Sequence, residues 1–445
     1  LWCSRVAPPD ITQTMLKLQA TSTVYAQFWK CFGPGLLFAG SSIGVSHLIQ
    51  STRAGAMAGL ALSGVILCAI VLKYPFFEFA PRYTAATGRS LIEGYRRIGR
   101  WALWTYVLFT VFSSIIIQTA VILFTSYLLQ FVFGLSFSLS MIGGMLCLVC
   151  GLLLWIGRFQ ILDKSIKVIL LLLACSTLAA AVMIVPRVDF STAGLWVFDG
   201  AELIVPLGFL LALIGWMPTA IDLSVWSSLW TLAKNRASGV TTNVATARLD
   251  FQIGYFGTGI AAFAFVIIGA GVMHSTGETL SAKGTVFSTQ LINLYTIALG
   301  EWIQPIVIVA VLTTMLSTSL TVVDGFPRAL DHAIRNLKFP NRQDQLYGQI
   351  GPLYWIILVI LAVLTVVALE IFSGNMTTMV DFATIMSFLT APILGYLNLR
   401  AVCSDDVPPE HQPGPAMRML SYAGLLFMGV LALTYIGFRV YGSSV

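Results

Sequence analysis

One stretch near the start of the chain, residues 33–58, is apolar and long enough to cross a bilayer, but it is interrupted in its middle. A spanning helix needs about 20 apolar residues. The interrupting residues are small or polar: Gly40, Ser41, Ser42, Gly44, Ser46 and His47. Such a break survives in a membrane only where protein buries the backbone or the backbone lines a cavity. The stretch therefore predicts a broken helix at a binding site or, more simply, a packing seam of small residues.

The rest of the chain has the composition of a polytopic membrane protein. Of its 445 residues, 57% are hydrophobic and only 10% are charged, whereas soluble domains carry about 25% charged residues. Long apolar runs separated by polar connections predict eleven spans. These spans cover residues 33–57, 59–81, 102–130, 136–156, 166–185, 203–231, 251–273, 303–327, 353–371, 377–400 and 418–440.

The basic residues are distributed unevenly over the two sides of these predicted spans. With the N-terminus inside, twenty Lys and Arg lie in inside segments, and four lie outside: Arg53, Arg187, Lys283 and Arg439. This asymmetry follows the positive-inside rule. We therefore predict an integral protein of a bacterial inner membrane with a cytoplasmic N-terminal tail over residues 1–32. Because the net charge of +6 belongs mainly to short loops, it does not indicate nucleic-acid binding.

A second interruption lies in the predicted sixth span, which contains Gly215 and Pro218. Proline removes a backbone donor and clashes with the preceding helical turn. The two broken spans lie five spans apart, so they cross the membrane in opposite directions. This arrangement is typical of a five-plus-five inverted repeat with its site between the broken helices. We predict a first repeat over residues 33–185, a second over 203–400, and an eleventh helix with the C-terminus over 418–445.

The side chains at the two breaks indicate what the site could bind. The candidate substrate-binding residues are Gly44, Val45, Ser46 and His47 at the first break, and Gly215, Trp216, Met217 and Thr219 at the second. The candidate coupling or gating residues are Ser42, Gln118 and Asp222. Backbone N–H groups, hydroxyls and one histidine suit an anion or a small neutral solute. A bare divalent cation would find little to replace its lost water.

Each of these residues also has a plainer interpretation. His47 could be a hydrogen-bonded packing histidine, Met217 a core residue, and Thr219 a partner for carbonyls that Pro218 frees. The role of Asp222 stays open between an ion site and a partner for another polar group. Two further acids, Asp324 and Asp381, are predicted near inside span ends, paired with an arginine such as Arg328. We predict no resident metal ion and no cofactor.

Three segments carry a family resemblance: GPGLLFAG at residues 33–40, TGRSLIEGYR at 87–96 and ALIGWMP at 212–218. Together they resemble the Nramp family of proton-coupled divalent-metal transporters. The resemblance covers most of the chain in its pattern of spans. It implies an all-α, LeuT-type membrane fold with about eleven transmembrane helices, helices 1 and 6 broken, and transport by alternating access.

The chain departs from the family at the residues that the resemblance would assign to the metal. The family's Asp-Pro-Gly-Asn signature corresponds to Gly44-Val45-Ser46-His47, so the metal-binding Asp and Asn are both replaced. Its Met-Pro-His signature corresponds to Met217-Pro218-Thr219, which keeps the methionine and loses the histidine linked to proton movement. The family's acidic pair in the third span would lie near residues 114–118, where this chain has no acid.

These observations favour a secondary transporter over an enzyme, because the sequence shows no nucleophile–base pair and no hydrolytic motif. The first hypothesis is transport of a small inorganic anion, with bicarbonate as the best single choice and Na⁺ or H⁺ as alternative coupling ions. The second is a divalent-cation (Mn or Mg) transporter with a rearranged site of His47, Met217 and Asp222. The third, a non-transporting sensor, is disfavoured by the lack of a signalling domain in this sequence. We expect a monomer to function in the bilayer.

Overall fold

The computed structural model describes residues 33–156, 159–194, 197–199, 202–239, 241–278, 280–339, 351–372 and 374–441. The predicted tail over residues 1–32 and the end of the chain past residue 441 lie outside this part. The helices are α1 Pro34–Ser42, α2 Thr52–Ala58, α3 Ser63–Thr87, α4 Leu91–Ile98, α5 Arg100–Phe133, α6 Leu139–Trp155, α7 Phe159–Ile184, α8 Leu207–Gly215, α9 Asp222–Ser238, α10 Val244–Val272, α11 Gly284–Leu299, α12 Gln304–Lys338, α13 Pro352–Phe372, α14 Met376–Val402 and α15 Pro415–Tyr441.

Short elements complete this helical architecture. A π-helical segment, Ser46–Ser51, continues directly into α2. Strands β1 (Phe198–Asp199) and β2 (Glu202–Leu203) form a small antiparallel pair between α7 and α8. Within the described ranges, five 3₁₀ turns lie at helix ends and in connections: Val185–Arg187, Phe190–Thr192, His274–Thr276, Glu301–Ile303 and Pro409–His411.

Each of the eleven predicted spans has a helical counterpart, and the first and sixth are broken as expected. The first consists of α1, the π-helical segment and α2, and the sixth consists of α8 and α9. In the part of the chain that the structure describes, seven helices are individually long and apolar enough to cross a membrane. The prediction of an all-α integral membrane protein is thereby confirmed.

Two helices lie in segments that the span prediction left as connections. One is α4, which begins with a capping box in which Ser90 and Glu93 satisfy each other's backbone N–H groups. Its charged last turn makes it too polar to be read as a span. The other is α11, Gly284–Leu299, which has 16 residues and is too short to be read as one.

Helix α10 packs closely along both halves of the first broken helix, and glycines make this approach possible. A Cβ atom on Gly254 would lie 2.0 Å from the carbonyl oxygen of Gly35, and one on Gly55 would lie 2.1 Å from that of Val266. In a membrane, small residues let helix backbones approach closely enough for dispersion to hold them. The first half-helix is also tied to α10 at its start, because Asp250 accepts hydrogen bonds from the backbone N–H groups of Gly33 and Gly35 (3.1 and 2.7 Å).

Helix α14 holds the second broken helix in a similar way. A Cβ atom on Gly215 would lie 2.3 Å from the carbonyl oxygen of Thr384 in α14. The second break is therefore fixed by a glycine at the last residue of α8. Large apolar side chains on α6, α7, α13 and α15 point outward, as expected for a surface that faces lipid: Leu148, Val182, Ile371 and Leu433 are all more than half exposed.

Candidate functional site

A cavity of about 40 Å³ lies where the two broken helices meet α5 and α12. Among the candidate site residues, those that line it are Ser42, Val45, Ser46, Trp216, Thr219 and Asp222. The candidates outside its lining are Gly44, His47, Gly215, Met217 and Gln118. The structure therefore brings the two breaks together, but it assembles only part of the expected set around one space.

At the first break, the end of α1 is closed by groups from the same segment. The carbonyl oxygen of Ser42 accepts a hydrogen bond from the backbone N–H of Gly44 (3.0 Å) and another from the hydroxyl of Ser46 (2.7 Å). His47 Nδ1 lies 3.1 Å from the same oxygen. The negative end of the α1 dipole is therefore already occupied by protein donors.

His47 lies against α10 and not in the cavity. The side chain is fully buried, and Nε2 lies 2.9 Å from the carbonyl oxygen of Thr258, which can only accept a hydrogen bond. Nε2 therefore carries a proton, and Nδ1 lies 2.8 Å from the hydroxyl of Ser46. The ring bridges the first broken helix to α10. The neighbouring Gly44 lies close to α12 instead, because a Cβ atom there would lie 3.0 Å from Thr318 Oγ1.

At the second break, the end of α8 is closed by a lysine from another helix. Lys73 of α3 is fully buried, and its Nζ donates to the carbonyl oxygens of Ile214 (3.1 Å), Gly215 (2.9 Å) and Thr219 (3.1 Å). Two of these carbonyls end α8, and the third lies in the unwound segment before α9. This lysine places a positive charge beside the cavity-lining residue Thr219.

Met217 belongs to the second break but lies outside the lining of the cavity. It is fully buried and its sulfur accepts a weak hydrogen bond from the hydroxyl of Ser51 at 3.5 Å. Gln118 of α5 likewise lies outside the cavity and donates to Thr365 Oγ1 at 3.1 Å. The rearranged metal site of His47, Met217 and Asp222 is therefore not assembled around the cavity. In the described ranges, no group of three His, Cys, Asp or Glu side chains could hold a metal ion.

Asp222 is the acidic residue in the lining of the cavity. It begins α9, where the positive end of the helix dipole favours a carboxylate. Its Oδ1 accepts a hydrogen bond from Ser113 Oγ at 3.2 Å, whereas Oδ2 is buried without a partner. The indole Nε1–H groups of Trp216 and Trp226, both lining residues, are also buried without acceptors. Unpartnered buried polar groups are uncommon and usually mark a bound water, ion or ligand.

Five of the six hydroxyl groups that line the cavity, all except that of Thr219, are already engaged as donors. Each donates to the carbonyl oxygen four residues earlier in its own helix, at 2.7–3.0 Å, and this set comprises Ser41, Ser42, Ser46, Thr318 and Thr321. In this arrangement the hydroxyl oxygens present lone pairs to the cavity. Rotation about the Cα–Cβ or C–O bond would turn a hydroxyl into a donor and release only a weak bond.

The two acids predicted near inside span ends each form an ion pair. The expected pair of Asp324 and Arg328 is present at 2.6 Å. Asp381 differs from the prediction, because it pairs with Arg53 of α2 at 2.7 Å and so belongs with a segment predicted to lie outside. The reason is that Asp381 lies in the second turn of α14, which corresponds to the tenth predicted span, and a tenth span begins outside when the N-terminus is inside.

Several residues around the site were missed by the sequence reasoning. Lys73 gave a signal, because a lone basic residue within an apolar span is costly unless it has buried partners. Trp226 lies four residues after Asp222 on α9, and helical spacing alone would have placed the two on one face. Thr318 and Thr321 gave no such signal, since nothing in the local sequence shows which face of α12 meets the breaks.

Comparisons with known proteins agree with this architecture. The family model of "Natural resistance-associated macrophage protein-like" (Nramp) proteins matches residues 35–437. The chain is 32% identical over 436 residues to the Pasteurella multocida (strain Pm70) protein described as "Uncharacterized protein PM0681", with 96% of each chain covered.

Two solved structures share the fold at low sequence identity. The manganese transporter of Eremococcus coleocola, in complex with an aromatic bis-isothiourea substituted compound, matches with a TM-score of 0.71 and 14% identity, over 94% of this chain and 88% of that one. MhsT in complex with L-phenylalanine matches with a TM-score of 0.61 and 14% identity, over 90% and 97%. The fold is thus the LeuT-type fold, and the family model over residues 35–437 shows the family. This chain is a membrane transporter that belongs to the Nramp family.

Proposed function

We propose that this protein is a secondary transporter of a small oxyanion, with bicarbonate as the ion that the site suits best. The observation that carries the proposal is the mixed character of the cavity lining. Trp216 and Trp226 offer indole N–H donors without acceptors, and Asp222 offers a carboxylate oxygen without a donor. Bicarbonate has one O–H donor and oxygens that accept, so a single ion could complete both kinds of group.

The size of the cavity supports a solute of a few atoms. One water molecule needs roughly 10–15 Å³ of such space, and the cavity offers about 40 Å³. Bicarbonate, which has four non-hydrogen atoms, is of a suitable size. An ion with a complete hydration shell would require the broken helices to separate further, as alternating access does in the open states.

The charges near the breaks also support an anion. The carbonyl oxygens at the ends of α1 and α8, which could otherwise bind a cation, already accept hydrogen bonds from Ser46 and Lys73. The Lys73 ammonium adds a fixed positive charge next to Thr219. Within this proposal the anion is bound by Ser42, Val45, Ser46, Trp216 and Thr219. The carboxylate of Asp222 accepts a hydrogen bond from the O–H group of the anion.

A second candidate is a divalent cation bound by oxygen ligands. Asp222 has a free carboxylate oxygen, and the hydroxyls that surround it present lone pairs because their protons are engaged. Carboxylate and hydroxyl oxygens suit a hard cation such as Mg²⁺ or Mn²⁺. This site would not include His47 or Met217, which lie outside the cavity lining.

Uptake into proteoliposomes tests the proposal. We expect saturable uptake of radiolabelled bicarbonate above the CO₂ leak of protein-free liposomes at alkaline pH, and no manganese or magnesium uptake under a matched gradient. Trp226→Phe keeps the ring and removes the N–H, so it should raise the KM for bicarbonate about 5-fold, the equivalent of one lost hydrogen bond. Trp104→Phe, at an exposed position of α5, is the matched control. Cation uptake without bicarbonate uptake would overturn the proposal.

A further inference from the structure

The ammonium group of Lys73 lies in a shell of backbone oxygens. Its three oxygen contacts, at 2.9, 3.1 and 3.1 Å, come from Gly215, Ile214 and Thr219. A carbonyl oxygen can only accept a hydrogen bond, and only a protonated amine has three donors. The match of three donors to three acceptors therefore requires the charged form of Lys73.

The compensation for this buried charge comes from backbone dipoles. In the described part of the chain Lys73 forms no salt bridge, and its side chain is fully buried. Instead, Nζ lies at the C-terminal end of α8, where the helix dipole is equivalent to about half a negative charge. Half-helix C-termini and unwound carbonyls are the groups with which broken-helix transporters bind monovalent coupling cations.

We infer that Lys73 is a tethered cation, which fills a monovalent-cation site made by the backbone of the second break. The lysine holds the end of α8 to the start of the unwound segment, as a bound sodium ion would. A soluble monovalent cation then finds no free set of carbonyl oxygens at this break, and transport does not require sodium. This inference concerns the coupling ion and the second break, and it does not depend on which cargo occupies the neighbouring cavity.

The test removes the tethered charge and offers a soluble one. Lys73→Val shortens the side chain, which opens the space at Nζ to a soluble cation and removes the ammonium donor from the three carbonyl oxygens. We expect the purified variant to melt at a lower temperature than the wild type in choline chloride. Equimolar NaCl should then raise its melting temperature by about 2 °C or more, because a ligand that binds only the folded state stabilises it. The wild type and the control variant Lys283→Val, at an exposed position, should melt equally in both salts.

A smaller side chain gives an independent form of the same test. Lys73→Ala leaves room for a soluble alkylammonium ion, so ethylammonium should stabilise this variant and leave the wild type unchanged. A Lys73→Val protein that melts equally in sodium and choline would overturn the inference. If neither variant can be purified in any of these salts, the wild type decides: a melting temperature that rises specifically with sodium, or uptake that requires sodium, would also overturn it.

Discussion

The two helix breaks solve the same problem with different chemistry. At both, a half-helix ends inside the protein and leaves carbonyl oxygens that need donors. The first break is closed locally, by the hydroxyl of Ser46 and the backbone N–H of Gly44. The second is closed from a distance, by Lys73 of α3. The first break therefore carries neutral caps and the second carries a fixed positive charge, so the two halves of a pseudo-symmetric site are electrically different.

This difference indicates which break a substrate ion would sense. A charge at one side of a small buried cavity acts through a low effective dielectric, so it affects an ion more than neutral caps do. The positive charge of Lys73 lies beside Thr219, and the carboxylate of Asp222 follows one turn later at the start of α9. Both charges therefore belong to the second break, whereas the first contributes hydroxyls and backbone.

The largest expected effect concerns how the second break is held. Gly215→Ala places a Cβ atom 2.3 Å from the Thr384 carbonyl oxygen, so α8 must move away from α14. We expect a loss of about 3 kcal/mol in the free energy of unfolding, measured as a fall in melting temperature in detergent. Gly208→Ala in the same helix is the control. A Cβ there meets nothing closer than 3.9 Å, so this variant should be neutral or slightly stabilised.

The next effect concerns the local closure of the first break. His47→Ala removes the bridge to α10 and leaves a buried space beside the Thr258 carbonyl oxygen, which loses the donor from the imidazole. We expect a loss of about 2 kcal/mol in stability, with an unchanged KM for the transported ion. His274→Ala, at an exposed position, should have a smaller effect. If His47→Ala is as stable as the wild type and loses affinity for the ion, then His47 acts in the site and the first break is not closed as described.

The smallest effect concerns the ion pair just past the first break. Arg53 and Asp381 lie 2.7 Å apart, with side chains that are 13% and 25% exposed. A double-mutant cycle with Arg53→Gln and Asp381→Asn should give a coupling energy of about 0.5–1 kcal/mol, because the pair is partly solvated. The same cycle in high salt should give a smaller value. A coupling of zero in low salt would mean that the pair does not hold α2 to α14.

The fold could be predicted from the sequence because its signals are local. Apolar length located the spans, and Gly44 and Pro218 located the breaks. The span prediction missed α4 because a hydropathy pattern does not detect a short polar helix. Helix ends were also displaced where polar turns continue past the bilayer, as in α9, which extends beyond residue 231 to Ser238.

The candidate site was only partly predictable because the direction in which each side chain points depends on tertiary packing. The sequence located the segments of both breaks, but it could not show that His47 turns toward α10 or that Met217 lies behind the unwound segment. Spacing along one helix does not tell which face meets the cavity. Lys73 shows the other limit: its position inside a span could be read directly, but its three carbonyl partners lie about 140 residues away along the chain.

The most direct test of oxyanion transport through this cavity is bicarbonate uptake by the Asp222→Asn variant in proteoliposomes, with the wild type alongside. Asparagine keeps an acceptor oxygen and removes the negative charge, so an oxyanion should still bind while the positive charge of Lys73 remains. We predict that the Asp222→Asn variant takes up bicarbonate at or above the wild-type rate. Abolished bicarbonate uptake in a variant that folds and melts like the wild type would contradict this prediction, because the negative charge of Asp222 would then be essential for transport of an anion.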